Sequence, residues 1–156
     1  MGKETILILD ENKNTTWTLK TLLENEGYCV LIVDSIERAI TDFREFKVSG
    51  LITEYRFQGV STLEAIRKLK KMSLESYVMM ITDDETEEDG YEEIMEVGID
   101  DYFVKPVPIR KILLHLRKGL KYRNLLIEKK RLEKTEEPLR SSKGAATTKI
   151  KDALAT

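Results

Sequence analysis

Short apolar runs alternate along the chain with longer amphipathic stretches, and the alternation occurs five times. The runs Thr5–Leu9, Cys29–Val33, Gly50–Thr53, Tyr77–Ile81 and Asp101–Val104 are mostly continuous in apolar residues. That is the pattern of parallel strands covered on both faces. Helical spacing follows each run. The first predicted helix, about 14–26, turns Leu19, Leu22 and Leu23 inward and stops at Gly27. The second, about 36–46, takes Ser35 as N-cap and carries Ile36, Ala39, Ile40 and Phe43 at i, i+3, i+4 and i+7. A third spans about 61–71 around Leu63, Ile66 and Leu69, and a fourth, acidic one spans about 86–96 and ends at Gly98. The fifth starts after Pro108 and runs to about Lys134. Right-handed crossovers turn this order into an α/β fold: a doubly wound, five-stranded parallel sheet with an extended C-terminal helix. From Thr135 on, Pro138, paired serines and Gly144 predict a flexible tail over 135–156.

At 156 residues the chain holds one ordinary domain, read as 1–120, with a helical extension at 121–134. One cysteine, Cys29, builds no disulfide framework and reads as a small buried apolar residue of a protein in a reducing cytosol. No apolar stretch approaches the roughly 20 residues of a membrane span, and no signal-peptide pattern opens the chain. A soluble, cytoplasmic protein is expected, without membrane partners. Charge is unevenly divided. Residues 1–116 hold 14 basic against 23 acidic side chains, whereas 117–156 hold 12 against 5. An acidic body with a basic extension implies two surfaces of different character.

Four of the predicted strands end in a marked residue: Asp10-Glu11, Glu54, Thr82 and Lys105-Pro106. Carboxyl ends of parallel strands share one edge of the sheet, where ligands bind. Three carboxylates, a hydroxyl and an ammonium are therefore expected to meet in one pocket. Lys105-Pro106 is preceded by "GIDDYFV", which makes it the most specific of these signals. In this order and spacing, over about residues 4–120, the constellation resembles the receiver domain of bacterial response regulators, the CheY-like family with a flavodoxin-like (βα)5 fold.

The resemblance implies that Asp10, Glu11 and the acceptor carboxylate hold Mg²⁺, a hard cation suited to oxygen ligands. It implies that Thr82 and Lys105 contact a phosphoryl group, that Pro106 aims the lysine, and that Tyr102 is an aromatic switch. The acceptor itself departs from the family. Receivers carry aspartate where this chain has Glu54, and "EYRFQGVST" replaces the usual Met-Pro and glycine by Phe57-Gln58 and Thr62. Glutamate is one methylene longer, and misplacement of about 1 Å costs on the order of 100-fold in positioning. Asp83, Asp84 and Glu85 after Thr82 add negative charge at the mouth. The chain therefore reads as an atypical pseudo-receiver, in which Mg²⁺ binding is weakened and Lys105 pairs with Glu54 directly. At an effective dielectric near 20 such a pair attracts by roughly 4 kcal/mol at 4 Å, before desolvation.

The function expected is a non-enzymatic module of two-component signalling, working through protein contacts with a histidine kinase, phosphotransfer protein or effector, and independent of its own phosphorylation. Two alternatives stand beside it: a working phosphoacceptor, and a basic-helix nucleic-acid binder with an idle receiver. His115 does not favour the former, because a single helix-borne histidine is usually surface or packing. No helix-turn-helix or other reading head supports the latter, so nucleic acid is not an expected partner. Trp17, opposite Leu19 on its helix, is a candidate interface anchor. Along the extension Leu125 and Leu132 stand one heptad apart, Tyr122 precedes Leu125 by three, and Lys129 interrupts the seam. They are candidates for a homodimer interface or for docking on a partner.

Overall fold

A computed structural model describes residues 3–83 and 88–142 of the chain. Five strands, β1 (Thr5–Leu9), β2 (Cys29–Ile32), β3 (Gly50–Thr53), β6 (Tyr77–Thr82) and β7 (Asp101–Val104), form one parallel sheet in the order β2-β1-β3-β6-β7. Two short strands, β4 (Arg56–Phe57) and β5 (Val60–Ser61), pair as a separate antiparallel hairpin. The helices are α1 (Lys13–Asn25), α2 (Ile36–Glu45), α3 (Leu63–Met72), α4 (Glu88–Val97) and α5 (Ile109–Ser142). This is the α/β, flavodoxin-like architecture that the strand-and-helix alternation predicts.

Alternation within the strands divides the core. Leu7, Leu9, Leu51, Val78 and Met80 point to one face, where Phe43 of α2, Ile66 of α3 and Ile94 of α4 cover them. Ile6, Ile8, Ile52, Met79 and Ile81 point to the other, against Leu19 and Leu23 of α1 and Ile112, Leu116 and Leu120 of α5. The second face holds a close approach. Tyr77 packs under α5 at Gly119, where an added Cβ would stand 2.2 Å from the ring. Its hydroxyl donates to Asp101, whose other carboxylate oxygen lies 3.2 Å from His115 Nδ1. Burial pushes the Tyr77 hydroxyl up in pKa, and the hydrogen bond to Asp101 adds to it. His115, half-buried with its ring edge-on to Phe103 at 5.0 Å, is a packing residue of this cluster.

Local signals account for most boundaries. The Asn12 side chain accepts from Thr15 N–H at 3.1 Å and caps α1, and Ser35 does the same for α2 through Arg38 N–H at 3.0 Å. Gly27, at φ +96°, follows α1 in the left-handed conformation that ends helices.

Three sequence expectations are corrected. Cys29 is exposed, not buried, because β2 is an edge strand, paired among the described residues with β1 alone. Helix α3 begins at Leu63, two residues later than the periodicity suggests, because Arg56–Ser61 folds as the hairpin. Gln58 (φ +52°) and Gly59 (φ +75°) supply the paired left-handed residues of its two-residue turn. Helix α5 continues to Ser142, past the predicted end at Lys134 and into the expected flexible tail. The rest of that tail, 143–156, lies outside the described residues, as do Asp84 and Glu85. The chain divides into two compact units, the first ending at Arg123 and the second beginning at Asn124. Helix α5 contributes to both. In the first unit Tyr122 is exposed, and in the second Leu125 and Leu132 are exposed.

Candidate functional site: a lysine bridging two carboxylates

Parallel register places the marked residues together. Leu9 is level with Thr53, Thr53 with Met80, and Thr82 with Val104, so the next residue along each strand emerges at one edge. The chain leaves β1 toward β2 on one side and returns to β3 on the other, which opens a crevice at that edge. Main-chain bonds hold the rim: Glu54 N–H donates to Leu9 C=O at 3.0 Å, and Lys105 N–H to Thr82 C=O at 2.8 Å. The Lys105-Pro106 peptide is cis.

Lys105 is the centre of the crevice. Its Nζ donates to Glu54 Oε2 at 2.9 Å and to Asp10 Oδ2 at 3.0 Å, and lies 3.8 Å from Asp83 Oδ2. The Asp10 and Glu54 side chains are only 10% and 12% exposed, so the bridge sits largely out of water, where charge pairs are least screened. Burial alone would pull the Lys105 ammonium down in pKa. Hydrogen bonds to Glu54 and Asp10 outweigh it and leave the value raised. The remaining carboxylate oxygens are engaged as well. Asp10 Oδ1 accepts from Asn12 N–H at 2.9 Å, and Glu54 Oε1 from Tyr55 N–H and Asp83 N–H, each at 3.3 Å.

This geometry tests the expected Mg²⁺ site. Glu11 is exposed, and no group of three candidate ligands able to hold a metal ion occurs among the described residues. Both oxygens of Asp10 and both of Glu54 already accept hydrogen bonds. Asp10 Oδ1 and Glu54 Oε1 do not bond the Lys105 ammonium, but a cation held there would sit beside that ammonium, whose charge already offsets the two carboxylates, and this weakens the site for Mg²⁺.

Two residues take parts in the site that the sequence did not signal. Thr62, read from the sequence as a lost glycine, is fully buried, and its hydroxyl is within hydrogen-bonding distance of Glu54 C=O at 2.8 Å and Tyr55 C=O at 3.0 Å. It staples the loop that carries the acceptor position. Asp83 contributes a main-chain donor as well as a charge; nothing in the sequence signals that donor. Thr82 is buried at the end of β6. Tyr102 is half-buried, edge-on to Tyr91 at 5.8 Å. Pro106 is exposed beside Lys105. Trp17 is 66% exposed, with Lys20 Nζ 5.7 Å from its ring centre, and it lies outside the crevice.

The family model "Response regulator receiver domain" matches residues 6–117. The chain belongs to the response regulator receiver domain family. Similar curated relatives include the phosphate regulon transcriptional regulatory protein PhoB of Pseudomonas aeruginosa, 28% identical over 123 residues, which cover 78% of this chain and 53% of that one. Another is the transcriptional regulatory protein CpxR of Escherichia coli, 30% identical over 115 residues, covering 72% and 47%. The chain thus spans about half the length of the curated relatives it matches. Among solved structures, a CheY-like receiver domain protein from Methanospirillum hungatei superposes with a TM-score of 0.73 at 22% identity, over 79% of this chain and 98% of that one. A receiver domain protein from Clostridium thermocellum does so with 0.71 at 24%, over 79% and 98%. These structural likenesses establish the fold. No helix among the described residues is long and apolar enough to cross a membrane.

Proposed function

We propose that this receiver domain is a non-enzymatic interaction module of two-component signalling that works without a phosphoryl group on residue 54. The supporting observation is the bridge from Lys105 to Glu54 Oε2 and Asp10 Oδ2. In a phosphorylatable receiver the lysine meets an incoming phosphoryl group and a metal neutralises its charge. Here the lysine is held by two internal carboxylates, the acceptor is a methylene longer, and the Lys105 charge weakens the pull of those carboxylates on a metal. Glu54 carries one negative charge, against about −1.5 to −2 and three acceptor oxygens for a phosphoryl group. Its hold on Lys105 imitates the phosphorylated state only in part. Incubation of the full chain with acetyl phosphate and Mg²⁺ is expected to leave its intact mass unchanged. A stoichiometric adduct mapping to Glu54 would refute the reading.

Output then passes through contacts with another protein: a kinase, a phosphotransfer protein or an effector. PhoB and CpxR are named transcriptional regulatory proteins, which supports an effector of that kind for this chain's pathway. The exposed Tyr122, Leu125 and Leu132 of α5 support a second contact, a homodimer through the extended helix. Gel filtration of the full chain is expected to give a dimer mass, and a chain ending at Lys118 a monomer mass. Identical monomeric masses would eliminate the dimer.

A further inference from the structure

Charged positions along α5 determine how two copies of this chain can meet. Leu114, Lys118, Lys121, Leu125, Glu128 and Leu132 follow one another at alternating four- and three-residue steps. That is the spacing of a helix seam, in which the side chains of one helix seat between those of another. All six are exposed, with Leu114 at 48%, Leu125 at 60% and Leu132 at 51%. Lys129, which interrupts a seam read through Tyr122, lies beside this one. Lys118 and Lys121 take part in no ion pair among the described residues. Glu128 accepts from Arg131 Nε at 3.1 Å, but both side chains are exposed, and such a pair holds weakly.

The charges exclude one orientation. In a parallel, in-register pair each seam residue meets its own copy, so Lys118, Lys121 and Glu128 would each face a like charge. Like charges set opposite one another are a means by which helices reject a wrong pairing. An antiparallel pair centred at Arg123 changes every one of these contacts. Leu132 meets Leu114 of the second copy, Glu128 meets its Lys118, and Leu125 meets its Lys121. Symmetry makes each contact twice. The lysine at 121 can lay its methylenes along leucine and carry its ammonium out to water. Tyr122, 65% exposed, then stands beside its own copy near the two-fold axis.

We propose that two copies pair antiparallel through this stripe, so that the far end of α5 in one copy covers Leu114 of the other. The proposal rests on the homodimer reading above and adds its orientation and register. Charge complementarity between Lys118 and Glu128 selects a second copy as the occupant of the stripe. The extension thereby joins one receiver to the other, rather than tail to tail.

The test uses the full chain carrying Cys29→Ser, because Cys29 is exposed and would form disulfides of its own. Leu114→Cys and Leu132→Cys are placed in separate chains, which are oxidised in air each alone and then mixed in equal amounts. A disulfide-linked dimer on a non-reducing gel is expected from the mixture and from neither chain alone. Sedimentation gives a second reading that needs no cysteine. Glu128→Lys and Lys118→Glu are each expected to raise the dimer Kd about tenfold, and the two together in one chain to restore the parent value. In a parallel pair the double change still sets like charges face to face and restores nothing. A dimer that links through Leu132→Cys alone, or that forms no disulfide in the mixture, overturns the orientation and leaves the homodimer reading in place. A full chain that sediments as a monomer at every concentration overturns both.

Discussion

Replacing Lys105 with methionine is expected to lower folding stability by roughly 2–3 kcal/mol at neutral pH. Removing one partner of a fully buried ion pair costs about 3–5 kcal/mol, because the other charge is left uncompensated. The Lys105 side chain is 18% exposed, so water reaches the site and the lower figure applies. Methionine keeps the length of the stem, which leaves the loss to electrostatics. Adding Glu54→Gln to Lys105→Met should recover most of it, since one of the two stranded carboxylates is then neutral. Urea unfolding of the three proteins measures both steps, and a loss under about 0.5 kcal/mol for Lys105→Met would remove the bridge as a stabilising element. The pH dependence has a definite sign. A folded-state pKa raised above the unfolded one means that the native chain holds the proton more tightly. The contribution of Lys105 is therefore fully present below the unfolded value, near 10.4, and is lost as pH rises through the folded one. The stability gap between the parent chain and Lys105→Met should stay level from pH 7 to about 10 and narrow above it.

Gly119→Ala is expected to cost about 2 kcal/mol, although alanine is the better helix former by roughly 1 kcal/mol. The added Cβ would stand 2.2 Å from Tyr77 Cε2 and 2.3 Å from Cδ2, well inside contact distance. Either α5 lifts from the sheet, exposing Leu116 and Leu120, or the ring turns and its hydroxyl gives up Asp101. Both routes lose buried packing or a buried hydrogen bond. Thermal or urea melts check the sign. In a Tyr77→Leu background the same substitution should become neutral or stabilising, and this coupling separates the ring contact from general helix effects.

Particular residues show how far the chain could be read. The five sheet strands were legible because continuous apolar runs such as "ILIL" and "VMMI" have no solvent-facing alternative. Their convergence followed from the strand-helix order, so the meeting of Asp10, Glu54, Thr82 and Lys105 was expected before any coordinate. Cys29 was misread because its neighbours Val30 and Leu31 are apolar, and only strand order reveals that β2 is an edge. The hairpin at Arg56–Ser61 was missed because its two-residue strands are too short to show a period; the Gln58-Gly59 dipeptide was the available signal. Gly119 passed unnoticed, since the residue it accommodates is 42 positions away.

Patterning and covalent chemistry are properties of the string itself. They determined the layering of helices on a parallel sheet, the edge where polar groups gather, and the extra methylene at residue 54. Which partner each polar group takes was settled only by folding. That Lys105 bridges Asp10 as well as Glu54, and that Thr62 fastens the acceptor loop, both depend on distances between segments remote in sequence. Such distances follow from how the layers pack, and no local period of hydrophobicity carries that information.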